Sequence, residues 1–173
     1  MRFDEDGFVI PEGVSLMNPK VITTILCNYS ALKQDCHEDY DKDLWYLMED
    51  FDELAAGALS EYPMYERLVE YKIDGLQNVE IQEALESEFG IKHSIEYISS
   101  LWRNKIPKLI ASAAEDRYLD WYYLEVEPGQ YKRCSRCKEI KLAHNKYFSK
   151  NKTSKDGFYS ICKCCRNAKD KKA

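Results

Sequence analysis

Four cysteines near the end of the sequence have the spacing of a metal site. Cys134 and Cys137 form one C-x2-C pair, and Cys162 and Cys165 form a second pair after 24 intervening residues. Two thiolates in such a pair bind one ion from the same side, and a second pair completes a tetrahedron. Four thiolates suit Zn2+ in a structural site, with an iron–sulfur centre as the alternative. Cys164 is a further thiol that could replace a member of the second pair.

A site closed by four thiolates leaves no coordination position for a water molecule, so it would not support metal catalysis. His144 is the only histidine after Gly129, and no neighbouring carboxylates accompany it as an acid–base set would require. We therefore predict a structural ion and no enzymatic activity.

The distribution of charge indicates two modules. The chain has 173 residues and a net charge of −5. Residues 1–129 contain 11 basic and 27 acidic side chains, whereas residues 130–173 contain 14 basic and 3 acidic ones. Pro128 and Gly129 interrupt the helical pattern at this point, which favours a boundary there. We predict an irregular arm over 1–17, a helical body over 18–126 and a basic zinc-binding module over 130–173.

Composition limits the class of protein. Hydrophobic residues make up 45% of the chain, which is enough for a core and argues against disorder. No apolar stretch approaches the length of a membrane span, and the first residues lack a secretory signal. We expect a protein of the bacterial or phage-infected cytoplasm without a membrane partner. Thiols stay reduced in that compartment, which favours metal ligation over disulfides.

Apolar residues recur at helical spacing through most of the body. Asn18 and Pro19 have the types of a helix cap and a first helical residue. A second apolar stripe, which includes Trp45, predicts another long helix. Pro107 predicts that one helix ends near Lys105 and that a new helix follows.

Residues 63–110 have the pattern of three short helices. Gly75 and Gly90 end the first two, and Ser94 caps the third. The predicted buried stripe of the third helix is Ile95, Ile98, Trp102, Ile106 and Leu109. Residues 73–85, IDGLQNVEIQEAL, resemble the GLSNKEIA pattern of region 4 of bacterial sigma factors and of LuxR-type regulators. The resemblance implies a helix-turn-helix whose third helix, starting within residues 94–103, enters the major groove of double-stranded DNA.

By this resemblance, exposed residues of the third helix contact the DNA. Those assigned to base edges are Tyr97, Ser100 and Asn104, and those assigned to phosphates are Arg103, Lys105 and Lys108. The second helix carries four glutamates that repel phosphate, so the alternatives are a plain helical core or a protein-docking surface. Phosphate attraction would then have to come from another part of the chain.

The tail has the order of a small metal module. Ile140, Leu142 and Phe148 predict one strand, residues 158–161 a return strand, and a short helix follows; this order is typical of a treble clef. Residues 131–167 resemble the zinc-binding half of phage recombination endonuclease VII and related HNH-type proteins. The resemblance implies Cys134, Cys137, Cys162 and Cys165 as ligands, with Cys164 spare. The catalytic His–Asn elements of that family have no counterpart before the last residue of the sequence.

The tail is strongly basic, and a folded metal module of this charge favours a polyanionic partner. The residues predicted to contact DNA are Lys132, Arg133, Arg136, Lys138, Lys163 and Arg166. The alternative is that the basic tail docks on the acidic body.

These patterns predict a mainly α fold, with a helix-turn-helix in the body and a small treble-clef-like four-cysteine module after it. The leading hypothesis is a DNA-binding transcriptional regulator of a phage or prophage. The alternative is a protein-docking adaptor that contacts host RNA polymerase or a virion-assembly partner. A zinc-containing nuclease is the least favoured function.

Overall fold

The computed structural model describes residues 14–38, 42–126 and 128–170, without the side chains of residues 37, 38, 169 and 170. The predicted arm over 1–17 falls largely outside these residues. The described chain is mainly helical and divides into two compact units, one ending at Tyr118 and the other beginning at Leu119. None of the described helices is long and apolar enough to cross a membrane.

The first unit is built from consecutive helices. They are α1 (Pro19–Cys27), α2 (Tyr29–Glu38), α3 (Lys42–Leu59), α4 (Pro63–Ile73), α5 (Asn78–Phe89), α6 (Ile95–Ser100) and most of α7 (Ile106–Trp121). The carboxamide oxygen of Asn18 accepts a hydrogen bond from the N–H of Lys20 at 3.0 Å, so the predicted cap is confirmed. Asn28 separates α1 from α2, and its side chain donates to the carbonyl of Thr24 at 2.8 Å.

The core of the first unit is apolar and continuous. Met48 and Phe51 of α3 are buried against residues of α1, α4, α5 and α6. Trp45 lies outside this core although it belongs to the predicted stripe, because its side chain is 44% exposed and its ring contacts that of Tyr46. The largest fully buried side chains of the unit include Ile22, Leu68, Ile81, Leu85 and Ile98.

The ends of α4 and α5 and the start of α6 lie at the residues that the sequence predicts. The N–H of Gln77 donates to the carboxylate of Glu80 at 2.7 Å before α5, and Gly90 ends that helix with φ of +69°. The hydroxyl of Ser94 accepts from the N–H of Tyr97 at 3.2 Å and so caps α6. Gly75, with φ of +87°, turns the chain after α4.

A single wide turn joins α6 to α7. A π turn spans Leu101–Lys105, and the N–H of Ile106 donates to the carbonyl of Leu101, five residues earlier. Pro107, which has no N–H to donate, lies in the first turn of α7. The break predicted near Lys105 is therefore a widened turn within a continuous helical segment.

The wide turn changes which side chains of this segment are buried. Ile95 is 37% exposed, so the predicted stripe is wrong at this position, while Trp102 and Leu109 are half-buried and pack against the core. A regular period of 3.6 residues cannot account for a step of five residues between buried positions. Ile98 and Ile106 are buried as predicted, and Leu101 and Ile110, which the predicted stripe omits, are buried with them.

The second unit contains two short antiparallel sheets and a helix. The strand β1 (Tyr131–Arg133) pairs with β2 (Ile140–Leu142), and β3 (Phe148–Lys150) pairs with β4 (Phe158–Cys162). The helix α8 (Lys163–Asp170) follows directly. The prediction of one strand through Ile140, Leu142 and Phe148 is wrong, because hydrogen bonds at His144 turn the chain between β2 and β3.

Gly129 lies at a close contact inside the second unit. Its N–H donates to the carbonyl of Tyr123 at 3.1 Å. A Cβ atom at this position would lie 2.6 Å from Cδ1 of Leu142 and 2.9 Å from Cβ of Tyr123. Glycine is therefore required here by packing, where the segment after α7 enters β1.

Candidate metal centre

Cys134 and Cys137 lie in the tight turn between β1 and β2. The N–H of Cys134 donates to the carbonyl of Glu139 at 2.8 Å, and the N–H of Lys138 donates to the carbonyl of Cys134 at 3.0 Å. Lys138 has φ of +66°, a left-handed conformation that an L residue adopts in such turns only when the surroundings impose it. These bonds fix the backbone that carries the first cysteine pair.

Cys162 and Cys165 lie where β4 passes into α8. The N–H of Ser135 donates to the carbonyl of Ser160 at 2.9 Å, which joins the turn of the first pair to β4. The N–H of Lys163 donates to the carbonyl of Tyr147 at 2.8 Å and anchors the start of α8. Backbone hydrogen bonds therefore hold the two pairs next to each other.

The four sulfur atoms form one group. Each lies within 4.8 Å of the others, and Sγ of Cys137 is 4.0 Å from Sγ of Cys162. A tetrahedral ion with metal–sulfur bonds of about 2.3 Å needs sulfur atoms about 3.8 Å apart. The separation is far longer than the roughly 2.05 Å of a disulfide. The predicted set of four cysteines therefore comes together with the spacing of a metal site, and Cys164 is outside it.

The surroundings of the group are partly closed. Cys134 and Cys162 are buried with Phe148, while Cys165 is half-buried and Cys137 is exposed. Tyr147 and Phe158 pack against the same small core. So few apolar residues cannot by themselves stabilise a unit of this size, and an ion held by the four cysteines would supply a substantial part of its stability.

The pKa values of the thiols depend on their hydrogen bonds and on one another. Burial opposes ionisation of Cys134, but N–H groups of Cys162, Cys137 and Arg136 outweigh it and lower the pKa to about 6. Burial, and then the neighbouring sulfurs, raise the pKa of Cys165 to about 12. Once one thiolate forms, the next becomes harder to form beside it. A divalent cation removes this repulsion, so the donor set fits a positively charged ion.

The residues predicted to contact DNA in the first unit lie on one exposed surface of the α6–α7 segment. Ser100, Arg103 and Asn104 line a groove of about 420 Å³ together with Asn78 at the start of α5. Tyr97 is 39% exposed, and its ring stacks on His93 at a centroid distance of 4.8 Å. The exposed residues that the sequence predicts for this surface are Tyr97, Ser100, Arg103, Asn104, Lys105 and Lys108.

Four bases elsewhere in the first unit are neutralised by ion pairs, whereas Arg103 and Lys108 are not in the part of the chain that the structure describes. Lys33, Arg67, Lys92 and Arg117 each form an ion pair with a glutamate or aspartate. Arg103 and Lys108 have no carboxylate partner within the described residues, and Nζ of Lys105 donates to the hydroxyl of Tyr65 at 2.5 Å. Burial, and then the charge of Arg103, lower the pKa of Lys72. A patch of unneutralised positive charge therefore interrupts this acidic unit.

Comparison with known proteins gives no match, whether to a family model, to a curated protein or to a solved structure. The function of this chain is therefore inferred from the chemistry of its own residues.

The basic residues of the second unit differ in their surroundings. Lys132 forms an ion pair with Asp156, donates to the carbonyl of Phe158 at 3.2 Å and lies over the ring of Phe148. Its side chain is only 16% exposed, so it holds β1 against the hairpin of β3 and β4. Lys141 pairs with Glu139 at 2.8 Å.

Other predicted contact residues of this unit point their charges outward. Arg133 is exposed on β1, and Lys163 is half-buried at the start of α8. The exposed side chains of Arg136 and Lys138 donate to the carbonyls of Cys165 and Ser135 respectively. Both carboxylates described in residues 128–170 are already paired with Lys132 and Lys141. The bases without a carboxylate partner among the described residues are Arg133, Arg136, Lys138, Lys150, Lys152, Lys155, Lys163 and Arg166.

The sequence-based site omitted one exposed aromatic residue. The Tyr159 side chain on β4 is 45% exposed, and Cζ of Arg166 lies 5.2 Å from its ring centroid. Alternation along the strand would not have indicated it, because Tyr159, Ser160 and Ile161 are all exposed and the register of β3 and β4 is irregular here.

Proposed function

We propose that this protein binds DNA, as a transcriptional regulator of the kind found in phages and prophages. The observation that carries the proposal is the unneutralised positive charge of the second unit. Glu139 and Asp156 are paired, and eight bases, seven of them exposed, have no carboxylate partner among the described residues. Such a surface attracts a polyanion, and release of counterions makes phosphate contact the main source of affinity.

The proposed ion of the second unit is Zn2+. Four soft thiolates at tetrahedral spacing, in a closed set without a free position, suit a structural zinc ion better than a catalytic one. The turn of Cys134 and Cys137, the β3–β4 hairpin and the start of α8 occur in the order of a treble clef. In this proposal the ion orders the segment that carries the basic residues.

The first unit would select the DNA sequence. Helices α4, α5 and α6 follow one another and pack through buried residues such as Leu68, Leu85 and Ile98, which is the arrangement proposed to be a helix-turn-helix. In this proposal α6 enters the major groove, Ser100 and Asn104 meet base edges, and Arg103 meets phosphate. The groove that these residues share with Asn78 leaves them accessible.

The decisive experiment measures DNA binding by the zinc-loaded chain as a function of salt concentration. A variant with Lys150, Lys152 and Lys155 changed to Gln removes three exposed charges of the second unit. We expect the slope of log affinity against log salt to fall by about two to three, since each phosphate contact contributes about 0.9. Lys20, Lys42 and Lys92 changed to Gln give a control with the same loss of charge in the first unit, and its slope should be unchanged.

Two results would overturn the proposal. One is an absence of duplex binding at low salt, and the other is an equal effect of both triple variants. Selection of bound duplexes from a random pool tests the role of the α6–α7 segment: Asn104→Ala should alter the selected sequence, while the triple variant of the second unit should leave it unchanged. Capture of a host protein that survives nuclease treatment, without any duplex binding, would favour the adaptor.

A further inference from the structure

Tyr159 and Arg166 form an exposed pair beside the cysteine group. The tyrosine ring is 45% exposed, and the guanidinium carbon of Arg166 lies 5.2 Å from its centroid. Ile161, two residues along β4, is also exposed, at 37%. The second unit thus presents a flat ring, a planar cation and an apolar side chain together.

The metal ligands hold both members of the pair in place. Tyr159 lies three residues before Cys162 on β4, and Arg166 follows Cys165 directly on α8. Ser160, next to Tyr159, accepts a hydrogen bond from the N–H of Ser135 at 2.9 Å, which fixes the strand against the first cysteine pair. The ring is therefore carried on an ordered strand rather than on a loose loop.

The charge around the pair favours an anionic partner. Lys150 is opposite Phe158 in the β3–β4 register and so neighbours Tyr159, while Lys152 and Lys155 lie in the loop that leads into β4. None of these lysines has a carboxylate partner among the described residues, because Asp156 is paired with Lys132. A partner with a flat aromatic group and nearby phosphates matches this surface.

We propose that Tyr159, supported by Arg166, stacks on an unpaired base of nucleic acid, so that the second unit prefers DNA with an unpaired base to an uninterrupted duplex. The inference rests on the proposed function in that nucleic acid is the partner. In a continuous duplex the faces of the bases are covered by their neighbours, and only phosphates remain for the lysines. At an unpaired position the base can leave the stack and lie against an aromatic ring, as in proteins that bind single strands.

The test compares three DNA probes with the whole zinc-loaded chain. They are a continuous duplex, the same duplex with one bulged adenine, and a duplex with a bulged abasic site. The last two have the same phosphates and the same interruption and differ only in the base. We expect the adenine bulge to bind about tenfold more tightly than the abasic bulge, in the range of one base–aromatic stack. A bulged 2-aminopurine should lose fluorescence on binding.

Variants at the ring show whether it is responsible. Tyr159→Ala should abolish both the tenfold ratio and the fluorescence loss, while Tyr159→Trp should keep them. Tyr131, a tyrosine of the same unit that is 44% exposed on β1, provides the matched control Tyr131→Ala, which should keep the ratio. Equal zinc content and far-ultraviolet circular dichroism would show that Tyr159→Ala has folded.

The outcomes separate this inference from the proposed function. Equal binding of the adenine and abasic bulges, or a ratio that survives Tyr159→Ala, overturns the inference, while salt-dependent binding of the continuous duplex would leave the proposed function standing. Failure to bind any of the probes at low salt overturns both.

Discussion

The backbone N–H of Cys162 donates a hydrogen bond to Sγ of Cys134 at 3.3 Å, which links the second cysteine pair to the first. Both residues are buried, and this bond contributes to the lowered pKa of Cys134. This hydrogen bond therefore favours the thiolate form of Cys134, which is the form that binds a metal ion. The hydrogen bond also makes Cys134 the most informative ligand to replace.

Replacing Cys134 should remove the ion, whereas replacing Cys164 should not. We expect Cys134→Ser to lose at least ten times more zinc affinity than Cys164→Ser, because only the former changes a sulfur of the four-membered group. Zinc content after dialysis, and the thiolate-to-metal absorption of the cobalt-substituted protein, would measure this. Zinc retained by Cys134→Ser, or lost by Cys164→Ser, would contradict the assignment.

The ion pair of Lys132 and Asp156 should stabilise the second unit. The side chains are 16% and 28% exposed, and the carboxylate of Asp156 also accepts from the hydroxyl of Ser154 and the N–H of Phe158. We expect Lys132→Gln to lower the midpoint of thermal unfolding more than Lys150→Gln does, because Lys150 is exposed and has no carboxylate partner among the described residues. Equal midpoints for the two variants would show that the pair contributes nothing.

The same pair gives a defined response to acid. The partner Lys132 is the main cause that holds the pKa of Asp156 well below its ordinary range. A lowered pKa contributes stability above the pKa of the unfolded chain, which is about 4, and that contribution disappears as the pH falls below it. The difference in the midpoint of thermal unfolding between the wild type and Asp156→Asn should therefore be constant from pH 8 to pH 5.

The sequence was sufficient for the parts of the structure that depend on local chemistry. Two C-x2-C pairs predict the four sulfurs, and Asn18 and Ser94 predict helix caps, because each feature involves neighbouring residues. The burial of Lys132 could not be predicted, since its partner Asp156 lies 24 residues away and its position depends on how β1 meets the hairpin. Likewise, a lysine that stabilises the unit and a lysine that faces solvent look the same in the sequence.

The error in the α6–α7 stripe has a physical cause that periodicity does not contain. Pro107 cannot donate a backbone hydrogen bond, and the helix accommodates it with a π turn that adds a residue between buried positions. The exposed residues Arg103, Asn104 and Lys105 therefore stand side by side between buried Leu101 and Ile106. The outward-facing set was predicted correctly, while the inward-facing set was correct at Ile98 and Ile106 but included the exposed Ile95 and omitted the buried Leu101.

Two leucines provide a direct test of this displaced burial. Leu101 is 2% exposed, whereas Leu109, which the regular period placed in the core, is half-buried. We expect Leu101→Ala to reduce the free energy of unfolding by about 2–5 kcal/mol, as for other buried leucines, and Leu109→Ala to reduce it by less. The two substitutions remove the same atoms, and urea unfolding measures the loss of free energy at each site. A larger loss for Leu109→Ala than for Leu101→Ala would disprove the π turn.

Alkaline pH should weaken the first unit through a cluster that joins α2 to α3. The hydroxyl of Tyr29 donates to the carboxylate of Asp52 at 2.9 Å, and Lys33 pairs with Asp52 at 2.6 Å. Burial, and then the bond to Asp52, raise the pKa of Tyr29. Burial alone would lower the pKa of Lys33, but its hydrogen bonds to Asp52 and Glu49 outweigh this effect, so the pKa is raised.

A raised pKa contributes stability that is fully present below the pKa of the unfolded chain and is lost at higher pH. For Tyr29 and Lys33 this loss begins near pH 10, the ordinary range of both groups. We expect the urea midpoint of the first unit to fall between pH 9 and pH 11, and to fall less in Tyr29→Phe, which has no hydroxyl to ionise. Tyr46→Phe, which changes a 46% exposed tyrosine of α3, is the control. An equal fall in the wild type and Tyr29→Phe would remove Tyr29 as the source of the alkaline sensitivity.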